Sequence, residues 1–214
     1  MSRAMRAPPK TAHVESVHYT HRYLWIAAQT LYALRSVHQE AGYWCSLASS
    51  LFIYLAFEGF LNDLGERIAP KEWAGEKKFF SREPYRGTLG KFRFLAEKVG
   101  YRVDLTQRPH STLRTLDQQR NKLVHPRTER RSGNLTLHGP NRVVRLPPDL
   151  HRYGAPAFVE RAFKDVGRTA EVLVERGRAS FPEEMHDYLG GAMVGTTGHH
   201  STWVPYMDQH VKLE

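Results

Sequence analysis

The sequence predicts an all-α protein, a helical bundle closed around one very apolar helix. Apolar residues recur at three- and four-residue spacing through most of residues 22–178. Gly and Pro cut that pattern into helix-sized pieces. One piece, 43–68, is apolar on nearly every side, as a helix packed by neighbours must be. At 214 residues the chain fits one domain with appendages and can bury a core. The expected division is a loose basic arm over 1–21, one helical domain over 22–188 and a loose tail over 189–214.

The arm is polar and basic and holds Pro8-Pro9. His13, His18 and His21 cluster there. His18 and His21 have the spacing to share a helical face, but no third and fourth ligand follow, so exposed histidines beside Tyr19 and Tyr23 are expected rather than a metal site. A first helix is expected from Arg22 to Glu40 through Leu24, Ala27 or Ala28, Leu31, Leu34 and Val37 or His38, broken by Gly42. The central helix, Tyr43 to about Ile68, sets Leu47, Leu51, Tyr54, Leu55 and Leu61 on one face and Ile53, Phe57, Phe60 and Leu64 on another. Glu58 falls in register with Leu51, Leu55 and Asn62, and a carboxylate there calls for a cationic partner, for which Arg120 is the candidate.

Residues 69–87 read as a connection. Thr88 to Val99 forms a short helix with Leu89, Phe92, Leu95 and Ala96 inward, ended by Gly100, and Lys91, Arg93 and Lys98 are expected on its solvated face. After a link over 101–109, Ser111 or Thr112 can cap the next helix. Beyond His125 the chain turns basic. Leu135-Thr136-Leu137 and Val143-Val144-Arg145-Leu146 flank a turn and suggest a small β-hairpin or loop insert. Ala155 to Arg178 is helical again, with Phe158, Ala162, Val166, Ala170 and Leu173 on one face, and Ser180-Phe181-Pro182 ends it. His199-His200 and Trp203 mark a floppy or partner-contacting tail.

Lys and Arg outnumber Asp and Glu by 31 to 22, a net charge of +9, which points to a polyanionic partner: RNA, DNA or an acidic protein. The single cysteine, Cys45, excludes a disulfide framework or thiolate metal site within the chain. No signal-peptide pattern is present, and the longest unbroken apolar run, residues 51–57, falls short of a membrane span. A soluble, cytoplasmic protein without membrane contact is expected. A Gly-rich phosphate loop with Lys, a metal-spaced His/Glu motif and a nucleophile elbow are all missing.

What remains is the run from Leu116 to Pro126, Leu-Asp-Gln-Gln-Arg-Asn-Lys-Leu-Val-His-Pro. Leu113, Leu116, Leu123 and Val124 mark the last turns of a core helix, and Arg120 falls on the same stripe. Pro126 stops the helix at His125. An arginine that can grip phosphate oxygens bidentately and a histidine that can move a proton, about one turn apart, suit a phosphodiester.

Arg120-Asn121-x-x-x-His125 resembles the signature of the HEPN superfamily (higher eukaryotes and prokaryotes nucleotide-binding). In pattern the resemblance extends over roughly residues 45–180, with only this run diagnostic. It implies an all-α fold, homodimers and metal-independent RNA cleavage with a 2′,3′-cyclic phosphate product, in proteins of toxin or defence type. No cofactor is expected. His125 would be the acid or base and Arg120 would stabilise phosphate charge. Asn121 would position substrate or fix the His tautomer, and Glu58 would orient Arg120. One histidine per chain cannot be both acid and base, so two motifs facing across a two-fold axis are expected. Lys122, Arg127, Arg130, Arg131, Arg142 and Arg145 would track the RNA backbone. An antitoxin or regulatory protein is an eligible partner. The family also holds non-catalytic modules that bind nucleotide, RNA or protein, and that reading stands beside the first.

Overall fold

A computed structural model describes residues 19–37, 41–125, 128, 149–188 and 191–193. Among the described residues the protein is all-α: seven α-helices, one 3-10 turn over Asp149–Tyr153, and no strand. The proposed hairpin lies outside the described residues, as do Arg127, Arg130, Arg131, Arg142 and Arg145.

α2 (Gly42–Ile68) is the axis of the fold. Ile53, Phe57, Phe60, Leu61 and Leu64 are fully buried on it, each worth roughly 1.5–3 kcal/mol removed from water. Around α2 pack α1 (Thr20–Leu34), α5 (Gly87–Lys98), α6 (His110–Val124) and α7 (Pro156–Ser180). α2 is long and apolar enough to cross a membrane by length and composition alone. Its apolar side chains, however, are engaged by these four helices, which is how a core helix passes the same test. α7 sits as its periodicity predicts, with Phe158, Ala162, Val166, Ala170 and Leu173 buried.

Four local expectations are corrected. α1 ends at Leu34, not Glu40, and its buried seam is His21, Trp25 and Ala28. The seam turns this way because the Trp25 ring meets Phe163 edge-on at 5.1 Å and His21 meets Phe60 at 5.8 Å. Gly42 opens α2 instead of ending α1. A Cβ there would lie 2.6 Å from the Arg35 carbonyl oxygen, so only glycine lets the two chain segments pass. The 69–87 connection contains two short helices, α3 (Pro70–Ala74) and α4 (Glu76–Phe79). α4 explains why Lys91 is buried and not solvated: its ammonium donates to Asn62 Oδ1 at 2.9 Å and to Glu76.

α6 starts at His110 behind Pro109 without a side-chain cap, so Ser111 and Thr112 lie inside it. Thr112 instead donates to Asp165 Oδ2 of α7 at 2.6 Å, and Arg108 grips the same carboxylate through Nε at 2.9 Å and Nη2 at 2.7 Å. Burial works to raise the Asp165 pKa, but these donors outweigh it and the group ends below its ordinary range. Arg108 is largely exposed, so the buried Thr112 bond and the otherwise stranded carboxylate carry the energy. Asp165→Ala is expected to cost about 2 kcal/mol in urea unfolding. A loss under a few tenths would show that this tie between α6 and α7 contributes nothing.

His21 ties the far end of the chain to α1. A carbonyl can only accept, so Nε2–H donates to the Ala192 oxygen at 3.1 Å. Burial and then the neighbouring Arg22 lower its pKa from 6.5 to about 4, against the pull of that carbonyl. The unfolded chain therefore binds the proton more readily than the folded one. The contribution is complete above pH 6.5 and is lost as pH falls toward 4, about 3 kcal/mol in all. In denaturant titrations across that window, His21→Gln should flatten the stability profile relative to wild type. Parallel profiles would show that His21 does not titrate in the fold.

Candidate active site

α6 runs antiparallel to α2: Asp117 meets Tyr54, and Gln119 reaches back to Leu47 and Ser50. The buried positions of α6 are His110, Thr112, Leu113, Leu116 and Gln119. Arg120 therefore does not continue the core stripe, as its spacing from Leu113 and Leu116 had suggested. Gln119 takes that place, donating from Nε2 to Ser50 Oγ at 2.6 Å and to the Leu47 carbonyl at 3.3 Å. Its Oε1 is buried without a hydrogen-bond partner. The choice follows from desolvation. A neutral amide is accommodated beside a serine, whereas a guanidinium would be stranded there. Leu123 is consequently only half-buried, and Val124 is 52% exposed.

One residue round the helix, Arg120 is half-exposed on the wall of a cavity of about 520 Å³ between α2, α5, α6 and the α4 region. Asn121 and Glu58 share that wall, so the structure brings three of the four residues of the expected site into one space. A hydrogen-bonded chain sets the arginine. Buried Tyr54 donates to Asp117 Oδ1 at 2.6 Å, Asn121 Nδ2 donates to Asp117 Oδ2 at 3.2 Å, and Arg120 Nη1 donates to Asn121 Oδ1 at 3.2 Å. Burial first, and then Asp117, drive the Tyr54 pKa upward, so the phenol stays a donor.

The expected Glu58–Arg120 ion pair is not made. Glu58 accepts from Thr88 Oγ1 of α5 at 3.0 Å, and Asn121 occupies the guanidinium instead. The fork thus keeps N–H groups that no carboxylate among the described residues neutralises within 4 Å. The cavity as a whole is charge-balanced, with Lys77, Arg86, Lys91 and Arg120 against Glu58, Glu76, Glu83 and Asp117.

His125 caps α6, its N–H donating to the Asn121 carbonyl at 3.0 Å, and the helix stops where Pro126 requires. Its side chain is exposed at the bundle end and is not part of the cavity wall, so a single chain does not join the imidazole to the guanidinium. Lys122 is half-buried beside them. The sequence reading missed Asp117 and Tyr54. Asp117 stands four residues before Asn121, a spacing that puts both side chains on one helix face and was legible. The Tyr54 partner lies on another helix, and no local spacing reveals it.

No protein-family model, curated protein or solved structure matches the chain.

Proposed function

We propose that the chain is a metal-independent endoribonuclease of HEPN type, acting as a homodimer in the cytoplasm. One observation carries the reading: an arginine held by Asn121 and, behind it, Asp117 and Tyr54 faces an open cavity with donors to spare, one turn from an exposed histidine at the same helix's end. Such a fork binds a phosphodiester bidentately. The exposed imidazole takes the proton of the ribose 2′-OH, the 2′-oxygen attacks phosphorus, and the P–O5′ bond breaks. Arg120 stabilises the charge that gathers on the non-bridging oxygens. His125 of the second chain protonates the departing 5′-oxygen, leaving a 2′,3′-cyclic phosphate and a 5′-hydroxyl. The basic segment over 127–145 and Lys122 would track the strand. A toxin or defence role, with an antitoxin or regulatory protein as second partner, belongs to the same proposal.

The test is RNA cleavage in excess chelator, reading the termini formed. Chelator-resistant cutting with cyclic phosphate ends supports the proposal. Cutting that survives removal of Arg120 or His125 marks a contaminant.

A second reading, a non-catalytic module binding nucleotide, RNA or protein, is favoured by the cavity's four carboxylates and by the position of His125 outside it. It predicts salt-sensitive RNA binding with no cleavage of any RNA.

A further inference from the structure

We infer that a second cavity, apart from the one beside Arg120, holds a small aromatic carboxylic acid as its monoanion. The cavity, of about 640 Å³, opens between the end of α1 and the first turns of α2 and α7, a size that suits a small ligand. Arg35 sets the anion end. Its guanidinium lies over the Tyr32 ring, 3.6 Å from the centroid, and Nη1 donates to the Tyr32 carbonyl at 2.8 Å. The side chain is thereby held, while its Nε and Nη2 edge makes no hydrogen bond among the described residues. That edge can take a carboxylate through two parallel bonds. Glu160 Oε1 stands 4.0 Å from Nη2, outside hydrogen-bond reach, and is engaged instead by the Tyr32 hydroxyl at 2.7 Å.

Ser46 gives an independent sign of a ligand. It is 1% exposed, it lines the cavity, and its hydroxyl has no hydrogen-bond partner among the described residues. The next serines on α2 are satisfied: Ser49 donates to the Ala28 carbonyl at 2.8 Å and Ser50 to the Leu47 carbonyl at 2.7 Å. A buried hydroxyl left unpaired is costly, and a ligand oxygen removes that cost. α7 begins on the same wall, at Ala155 and Pro156, without a side-chain cap, so the positive end of its dipole is also there. The ring end is set by Tyr43. It meets His151 and Trp44 at 4.9 Å each, and a Cβ on Gly154 would fall 2.5 Å from its Cε2. The ring is pinned, a fixed aromatic surface for a flat ligand body. Charge narrows the class. Arg35 is the only Lys or Arg on the described wall, and Glu160 is beside it, so a monoanion fits better than a phosphate dianion. A nucleic-acid strand would need a row of cations that this wall lacks. The site does not rest on the nuclease reading.

Equilibrium titration of the full chain, followed by NMR, tests it with four probes. 2-Naphthoate has ring and charge, 2-naphthylmethanol the ring alone, acetate the charge alone, and adenosine 5′-monophosphate a flat body with a dianion. 2-Naphthoate is expected to bind one per chain, at least about tenfold tighter than any of the other three. Arg35→Gln should weaken it about tenfold or more, and Ser46→Ala about fivefold. Ser46→Ala should melt at or above wild type, so its weaker binding is not a loss of fold. Arg120→Ala, on the wall of the other cavity, should leave the 2-naphthoate Kd unchanged. Absence of 2-naphthoate binding up to about 10 mM overturns the inference. So does equal affinity for 2-naphthylmethanol, or binding that Ser46→Ala and Arg35→Gln leave intact. Tighter binding of adenosine 5′-monophosphate that Arg35→Gln abolishes would overturn the ligand class.

Discussion

Replacing Arg120 or His125 with alanine is expected to slow RNA cleavage about a thousandfold in single-turnover assays, the size of a lost phosphate clamp or a lost acid–base group. The two should differ in what else they change. Arg120 lies on the cavity wall, where its fork would hold the ground-state phosphate as well as the transition state, so Arg120→Ala should also weaken RNA affinity. His125 is exposed at the helix end and would enter only through proton transfer, so His125→Ala should leave affinity nearly unchanged. Neither residue is in the core, and both variants should melt with the wild type. If either variant cleaves within a few-fold of wild type, the site has been drawn around the wrong residues.

The largest effect on stability is expected at Gly90. A Cβ there would sit 1.9 Å from the carbonyl carbon and oxygen of Tyr85. The obstruction is the Tyr85 backbone itself, with no flexible side chain to swing away. The Tyr85 segment is also pinned from several sides: its ring stacks on Phe79 at 6.1 Å and meets Phe94 edge-on at 5.2 Å, while Gly87 N–H donates to the Phe80 carbonyl at 3.0 Å. Gly90→Ala must therefore push α5 off the turn or unpack the aromatic group. A cost above about 4 kcal/mol is expected, enough to unfold many domains. Gly75→Ala is the control, because its nearest neighbour would be a carbonyl oxygen at 3.9 Å. Equal urea midpoints for the two variants would contradict the packing described. Because Glu83, Arg86 and Gly87 of this segment wall the cavity, a partly folded Gly90→Ala protein should also lose the site before it loses α2 and α7.

Where the pattern of one helix decides the answer, the sequence was readable. α2 and α7 announce themselves by apolar content and by a sustained 3.6-residue period, and Pro126 dictates where α6 stops. The misreadings share a cause, a choice made by a neighbour distant in sequence. Gln119 rather than Arg120 entered the core because Ser50 was there to accept its amide proton. Lys91 was drawn inward by Glu76, on a helix of four residues inside what read as a link. Glu58 turned to Thr88 and Arg120 to Asn121, although opposite charge alone would have joined them. Charge and periodicity nominate candidates, and burial with hydrogen-bond supply picks among them.

The seating of α6 has a mechanical consequence. At its root the helix is fastened by the Asp165 carboxylate and by His110, whose imidazole is engaged by Tyr101 at 2.7 Å and by the Asp104 amide at 3.0 Å. At its tip the side chains of Leu123, Val124 and His125 are only half-covered or bare. The helix is anchored like a cantilever: packed through Gln119, half-covered or bare past Arg120. Amide protons should exchange slowest around 113–117 and progressively faster toward 125. On the proposed nuclease reading, that gradient leaves the imidazole freer than the guanidinium beneath it, so a strand would be gripped first and met by its proton carrier afterwards.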